Sequence, residues 1–150
     1  MNGAQDTLIV GIGNPLREDD GAGFAVASRL GPPALAVVQL TPELAEPIGR
    51  ASRVVFVDAH RGTPPGEVHW EPIGPAAPGV LAFSHRVTPA DLLAAATLLG
   101  GRTPAAWLVA IGGARFGWGE ALSPAVEAAV AGLVERLRAP GEERRCTTLR

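Results

Sequence analysis

Three consecutive carboxylates, Glu18, Asp19 and Asp20, follow the apolar run Leu8–Ile12 through a short loop that holds Gly13 and Asn14. Another carboxylate, Asp58, directly follows the apolar run Val54–Val57, and an imidazole, His85, stands just before the helix-start pattern Thr88-Pro89-Ala90-Asp91. Asp20, Asp58 and His85 each lie at the end of an element, where α/β proteins collect their reactive groups. Two carboxylates and an imidazole suit Zn²⁺ or Ni²⁺ and leave coordination positions open for water or a substrate group.

Each residue also has a plainer reading. Asp19 or Asp20 can N-cap the helix that starts at Gly21. Asp58 can satisfy loop N–H groups, although a carboxylate after four buried residues is costly to hold without a partner. His85 can bond a loop carbonyl. His60 forms Asp-x-His with Asp58, and residues two apart in an extended segment share a face, so His60 is a rival ligand. His69 alternates with Val68 and Trp70 and is expected to face solvent. Glu18 is expected to be a solvated charge. Phe116 and Trp118, in a glycine-rich loop, can close a pocket or form a small satellite core.

Other chemistries lack their residues. A dinucleotide-binding GxGxxG would need a glycine where Leu16 stands, and a phosphate-binding P-loop needs a lysine, which the chain does not contain. Three adjacent carboxylates would also repel a phosphate. There is no GxSxG nucleophile elbow, and the single cysteine, Cys146, lies in a polar tail, so a catalytic thiol, a disulfide scaffold and a cysteine-based zinc site are all excluded. A formal net charge of −2 gives no reason to expect nucleic acid or an anionic membrane surface as partner. MNGAQDT has no signal-peptide pattern and no apolar run reaches membrane-spanning length, so the cytoplasm is the expected location.

The elements that must position these residues follow from periodicity. Leu8–Ile12 reads as a buried strand, and a helix from Gly21 with Phe24, Val26, Ala27 and Leu30 on its apolar side ends at Gly31-Pro32-Pro33. Leu35–Leu40 reads as a second strand, parallel to the first. Thr41, with Pro42 behind it, is expected to cap a short helix that reaches about Ala51 and breaks near Pro47. Arg53–Ala59 reads as a central parallel strand buried on both faces. Glu67–Ile73 alternates and reads as an antiparallel edge strand. Residues 74–83 form a loop, and a helix from Thr88-Pro89 ends at Gly100-Gly101. Ala105–Ile111 is a further buried strand, and Ser123-Pro124 is expected to cap a last helix bearing Val126, Val130, Leu133, Val134 and Leu137. The 150 residues make one domain, with a disordered tail expected over 140–150.

The opening GIGNPLREDDGAGFAV resembles the hydrogenase maturation proteases, endopeptidases that trim a C-terminal extension from the large subunit of nickel–iron hydrogenases. The family pattern is a strand, G-x-G-N, then D-D/E-G-x-G before a helix, here Gly11, Gly13, Asn14, Asp19, Asp20, Gly21 and Gly23. VVFVDAH is similar to the family's central strand ending in an acidic ligand, Asp58. FSHRVTPADLLAAA is similar to its histidine-containing block, and IGGARFGWGEALSPAVEAAV to its closing block. The resemblance implies a three-layer α/β fold: a mostly parallel twisted sheet of about five strands, helices on both faces, and one antiparallel edge strand. It implies Asp20, Asp58 and His85 as metal-binding and catalytic residues, with nickel presented by the substrate; zinc or another divalent ion also suits these donors in the free protein. The implied partner is the hydrogenase large-subunit precursor, met by a monomer. A non-catalytic nickel-sensing assembly factor is the alternative, since the same ligands would serve it.

Overall fold

The computed structural model describes residues 7–77, 86–100 and 102–139. The apolar runs form one five-stranded sheet: β1 (Thr7–Ile12), β2 (Leu35–Val37), β3 (Arg53–His60), β4 (Val68–Ile73) and β5 (Ala105–Gly112). Its spatial order is β2-β1-β3-β5-β4. The first four of these are mutually parallel, and β4 runs antiparallel to β5 at the edge. The edge position explains how Pro72 can sit within a strand, because its missing N–H would face away from the sheet's interior pairing.

Alternation along β3 sorts the core into two halves. Val54 and Phe56 face a layer made by α2 (Ala45–Arg50) and α3 (Pro89–Gly100), through Ile48, Leu92, Leu93 and Ala96. Val55 and Val57 face α1 (Ala22–Leu30) and α4 (Pro124–Arg138), through Val26, Val126, Val130 and Leu133. A strand buried on both faces needs apolar residues at every position, and β3 has them from Val54 to Val57. The three-layer α/β arrangement expected from the sequence is the one observed.

Chain direction creates the functional end of the sheet. From β1 the chain crosses outward to β2, and from β3 it works toward the other edge, so the strand order reverses between β1 and β3. Such a reversal opens a crevice at the carboxyl ends of the two strands. Helix α1 seats directly on that seam. A Cβ on Gly11 would strike Gly23 O, and a Cβ on Gly23 would strike Val57 O and Ile12 O, so the glycines are what permit helix and strands to touch.

Several boundaries differ from the expected ones, each for a local reason. β2 stops at Val37 rather than Leu40, because its neighbour β1 ends at the Ile12–Val37 pair and Gly13 N–H then bonds Val37 O at 3.0 Å. Residues 42–44 form a 3₁₀ turn and α2 starts at Ala45, so the break precedes Pro47; the proline falls in the helix's first turn, where no intrahelical N–H bond is required. Thr41 makes no side-chain cap bond there. Thr88 does cap: its Oγ1 accepts Asp91 N–H at 3.1 Å while Asp91 Oδ2 accepts Thr88 N–H at 2.9 Å. The tail from 140 to 150, Cys146, and the segment that carries His85 lie outside the described residues.

Candidate active site

The three carboxylates of the first loop occupy one 3₁₀ turn, Glu18–Gly21. Three residues per turn set successive side chains about 120° apart, so neighbouring acids point in different directions. Asp19 turns inward and is fully buried, with 0% of its surface exposed. Its Oδ2 accepts Ala114 N–H at 2.8 Å, Arg115 N–H at 2.9 Å and Ser123 Oγ–H at 2.8 Å, while Oδ1 accepts Ser123 N–H at 2.8 Å. Burial alone would push this carboxyl up, but the four hydrogen bonds outweigh it and hold its pKa below the ordinary value. Asp19 therefore neither caps α1 nor faces a cation; it fastens the loop after β1 to the loop after β5. The same bonds explain why Ser123 caps α4 without a side-chain bond, its hydroxyl being committed to Asp19.

Glu18 is half-buried rather than solvated, with Arg115 Nε 3.8 Å from its carboxylate. Its φ of 50° is a left-handed conformation that is costly for a residue with a Cβ, and Glu18 N–H holds it there through Gly119 O at 2.8 Å. Asp20 alone of the three lines the cleft between β1 and β3. Its Oδ2 accepts Asn14 N–H at 3.0 Å, while Asn14 Oδ1 accepts Leu16 N–H at 2.9 Å, which is the turn expected at Asn14-Pro15. Gly13 is obligatory beneath this turn: at φ 147° any Cβ would meet Asp20 O. Helix α1 starts at Ala22, with Gly21 as its N-cap and no side-chain cap bond, so Asp20 is not a cap either.

The cleft has a volume of about 860 Å³ and also takes Asp58, His60, Arg61, Arg86 and Phe116. Asp58 stands one residue past the buried run of β3, and its Oδ1 accepts Ala59 N–H at 2.9 Å. Burial raises its pKa to about 6, and the nearby charge of Asp20 adds to the rise; Ala59 N–H, Arg86 and His60 oppose it. A carboxylate whose proton affinity is raised by burial and by a second carboxylate nearby forms a site whose repulsion is relieved by a proton or by a cation both can reach. That donor chemistry fits a divalent ion in part. Among the described residues, no group of three His, Cys, Asp or Glu side chains gathers that could hold a metal unaided.

His60 does share the face of Asp58, but its ring is committed. Gly62 N–H donates to Nδ1 at 3.1 Å and Thr63 Oγ1 lies 2.9 Å from the same nitrogen. Nδ1 is thus an acceptor for Gly62 N–H, and its lone pair is not free for a metal. His69 faces solvent as expected, 3.0 Å from Glu67 Oε2. His85 lies outside the described residues. Phe116 is a wall of the cleft, with Arg61 stacked on its ring at 4.2 Å from the centroid. Trp118 does not close the pocket; it is 77% exposed and lies over the Arg17 guanidinium at 4.6 Å. Arg61 and Arg86 are cleft residues that the sequence did not single out, and the bracing role of Asp19 was not expected either.

Solved structures share this geometry. Nickel–iron hydrogenase maturation protease HycI from Thermococcus kodakarensis is 25% identical, with a TM-score of 0.66 over 86% of this chain and 87% of that one. The chain has the fold of the hydrogenase maturation proteases. Hydrogenase maturating endopeptidase HybD from E. coli superposes with a TM-score of 0.64 at 22% identity, covering 91% of this chain and 90% of that one. Maturation protease HybD from Thermococcus kodakarensis does so at 0.59 and 23%, over 90% and 95%. No protein-family model and no curated protein matches the sequence. The resemblance expected from the motifs is thus met by a maturation-protease fold that spans most of both chains.

Proposed function

We propose that the protein is an endopeptidase that removes a C-terminal extension from the nickel-loaded large subunit of a nickel–iron hydrogenase. The observation that supports this most is the convergence of Asp20 and Asp58, from distant loops, on one cleft at the strand-order reversal of a maturation-protease fold. Nickel enters this reading as part of the substrate. Asp20 and Asp58, with His85 from the family resemblance, would hold it and so dock the scissile bond in the cleft. The chemistry nickel would supply there is Lewis-acid polarisation.

The chain's own residues carry the proton. With a pKa raised to about 6, Asp58 is largely ionised at neutral pH yet a far better base than an ordinary aspartate. One of its oxygens holds Ala59 N–H. The other either joins the nickel's ligands, or accepts a proton from the attacking water and returns it to the leaving amine. A well-placed general base contributes roughly 10²–10⁴ to rate, and Asp58→Asn should lose about that factor or more.

The test uses a large-subunit precursor from the same source, prepared with and without nickel and followed by mass. Loss of a C-terminal peptide only from the nickel-loaded form is expected, and Asp20→Asn, Asp58→Asn and His85→Ala should each abolish it while remaining folded. Binding without mass change would replace the peptidase reading with that of a nickel-sensing assembly factor. Wild-type processing by Asp58→Ala would sink the site assignment.

A further inference from the structure

The cleft holds a cation that its acidic pair does not account for. Arg61 lines the cleft together with Asp20 and Asp58. Among the described residues Arg61 makes no ion pair, and its guanidinium instead sits over the Phe116 ring at 4.2 Å from the centroid. A guanidinium stacked on an aromatic face keeps its N–H donors free at the edge, in the forked geometry that matches a carboxylate.

The platform beneath it is held from several sides. The ring lies back against Gly113, where a Cβ would collide with it. Arg17 Nη2 donates to Phe116 O at 2.9 Å and Arg17 Nε to Gly117 O at 3.3 Å. Gly113 N–H donates to His60 O at 3.0 Å, next to Arg61 itself. The buried Asp19 carboxylate fixes Ala114 and Arg115. A receptor group immobilised before its ligand arrives loses little further freedom on binding. Such support under one exposed cation at the mouth of a cleft points to recognition.

We propose that Arg61, propped on Phe116, is a specificity-determining residue that takes a carboxylate of the substrate's C-terminal extension. A peptide can offer that group as an acidic side chain or as its terminal carboxylate. The inference rests on the reading that the substrate carries such an extension.

The experiment is equilibrium binding of a fluorescein-labelled synthetic peptide, the extension of the large subunit from the same source, to full-length Asp58→Asn protein, which leaves the peptide uncut. Three forms are compared by anisotropy: native, with every Asp and Glu replaced by Asn and Gln, and with an amidated C-terminus. One neutralisation is expected to weaken binding roughly ten- to a hundredfold, the range for a charge-assisted hydrogen-bonded pair, and the form that weakens identifies the source of the carboxylate. In the Asp58→Asn, Arg61→Gln protein the same neutralisation should change nothing, and Arg61→Lys should restore only part of the discrimination. Three results overturn the proposal: equal affinity for all three peptides, discrimination that survives Arg61→Gln, or no measurable binding of the native peptide. A parallel incubation of wild-type protein with nickel-loaded precursor separates the two readings. Arg61-dependent peptide binding without cleavage removes the peptidase function alone, whereas cleavage with Arg61-indifferent binding removes this inference alone.

Discussion

Replacing Asp58 by asparagine should stabilise the fold while destroying its proposed activity. Burial raises the Asp58 pKa from 3.8 to about 6, so the native state holds this proton more tightly than the unfolded chain. Between those two values the folded protein binds more protons, and stability falls as pH rises through the window. Above about pH 6 the full penalty is present. Two pKa units correspond to about 3 kcal/mol, and local water and backbone relaxation should bring the observed effect to about 1–2 kcal/mol. Asparagine keeps the shape and the oxygen that accepts Ala59 N–H but carries no charge. Urea unfolding of both proteins at pH 4, 6 and 8 measures the difference, which cancels contributions from all other titrating groups. The curves should nearly coincide at pH 4 and separate toward pH 8, where the variant's midpoint should lie higher by roughly 0.5–1 M for an ordinary m-value. A variant equally or less stable at pH 8 would show that the Asp58 charge is already compensated, and the argument for Asp58 as a raised-pKa base would fail with it.

Asp19→Asn should cost roughly 2–4 kcal/mol, because an amide cannot accept all four of the bonds that reach this buried carboxylate; thermal unfolding measures the loss. Its depressed pKa makes Asp19 a contributor to stability above the ordinary carboxylate range, lost as pH falls through the lowered folded value, so the wild-type advantage over Asp19→Asn should shrink on acidification. Gly23→Ala reverses the usual sign for a helical glycine: alanine favours helix by about 1 kcal/mol, yet here its Cβ meets Val57 O and Ile12 O, so a net loss in denaturant midpoint is expected. Thr88→Ala should cost about 1 kcal/mol in urea unfolding, through loss of the reciprocal cap with Asp91.

The sequence alone determined the layers, because strand and helix periodicities are local. Continuous apolar runs marked the strands buried on both faces, alternation marked β4 as an edge, and proline, glycine and capping residues marked most helix ends. It also marked Asp20 and Asp58, since a carboxylate at the end of a buried run is conspicuous against its neighbours. What only the tertiary structure decided is the direction and company of each side chain. Nothing local told Asp19, bound to residues about a hundred positions away, from Asp20, which faces the cleft. Nor could spacing show that Thr63 and Gly62 occupy His60's acceptor nitrogen, or that Arg61 would lie on Phe116. Periodicity records which way a residue faces relative to its own element, whereas hydrogen bonds and stacking between loops depend on where the sheet's strand order brings distant segments together.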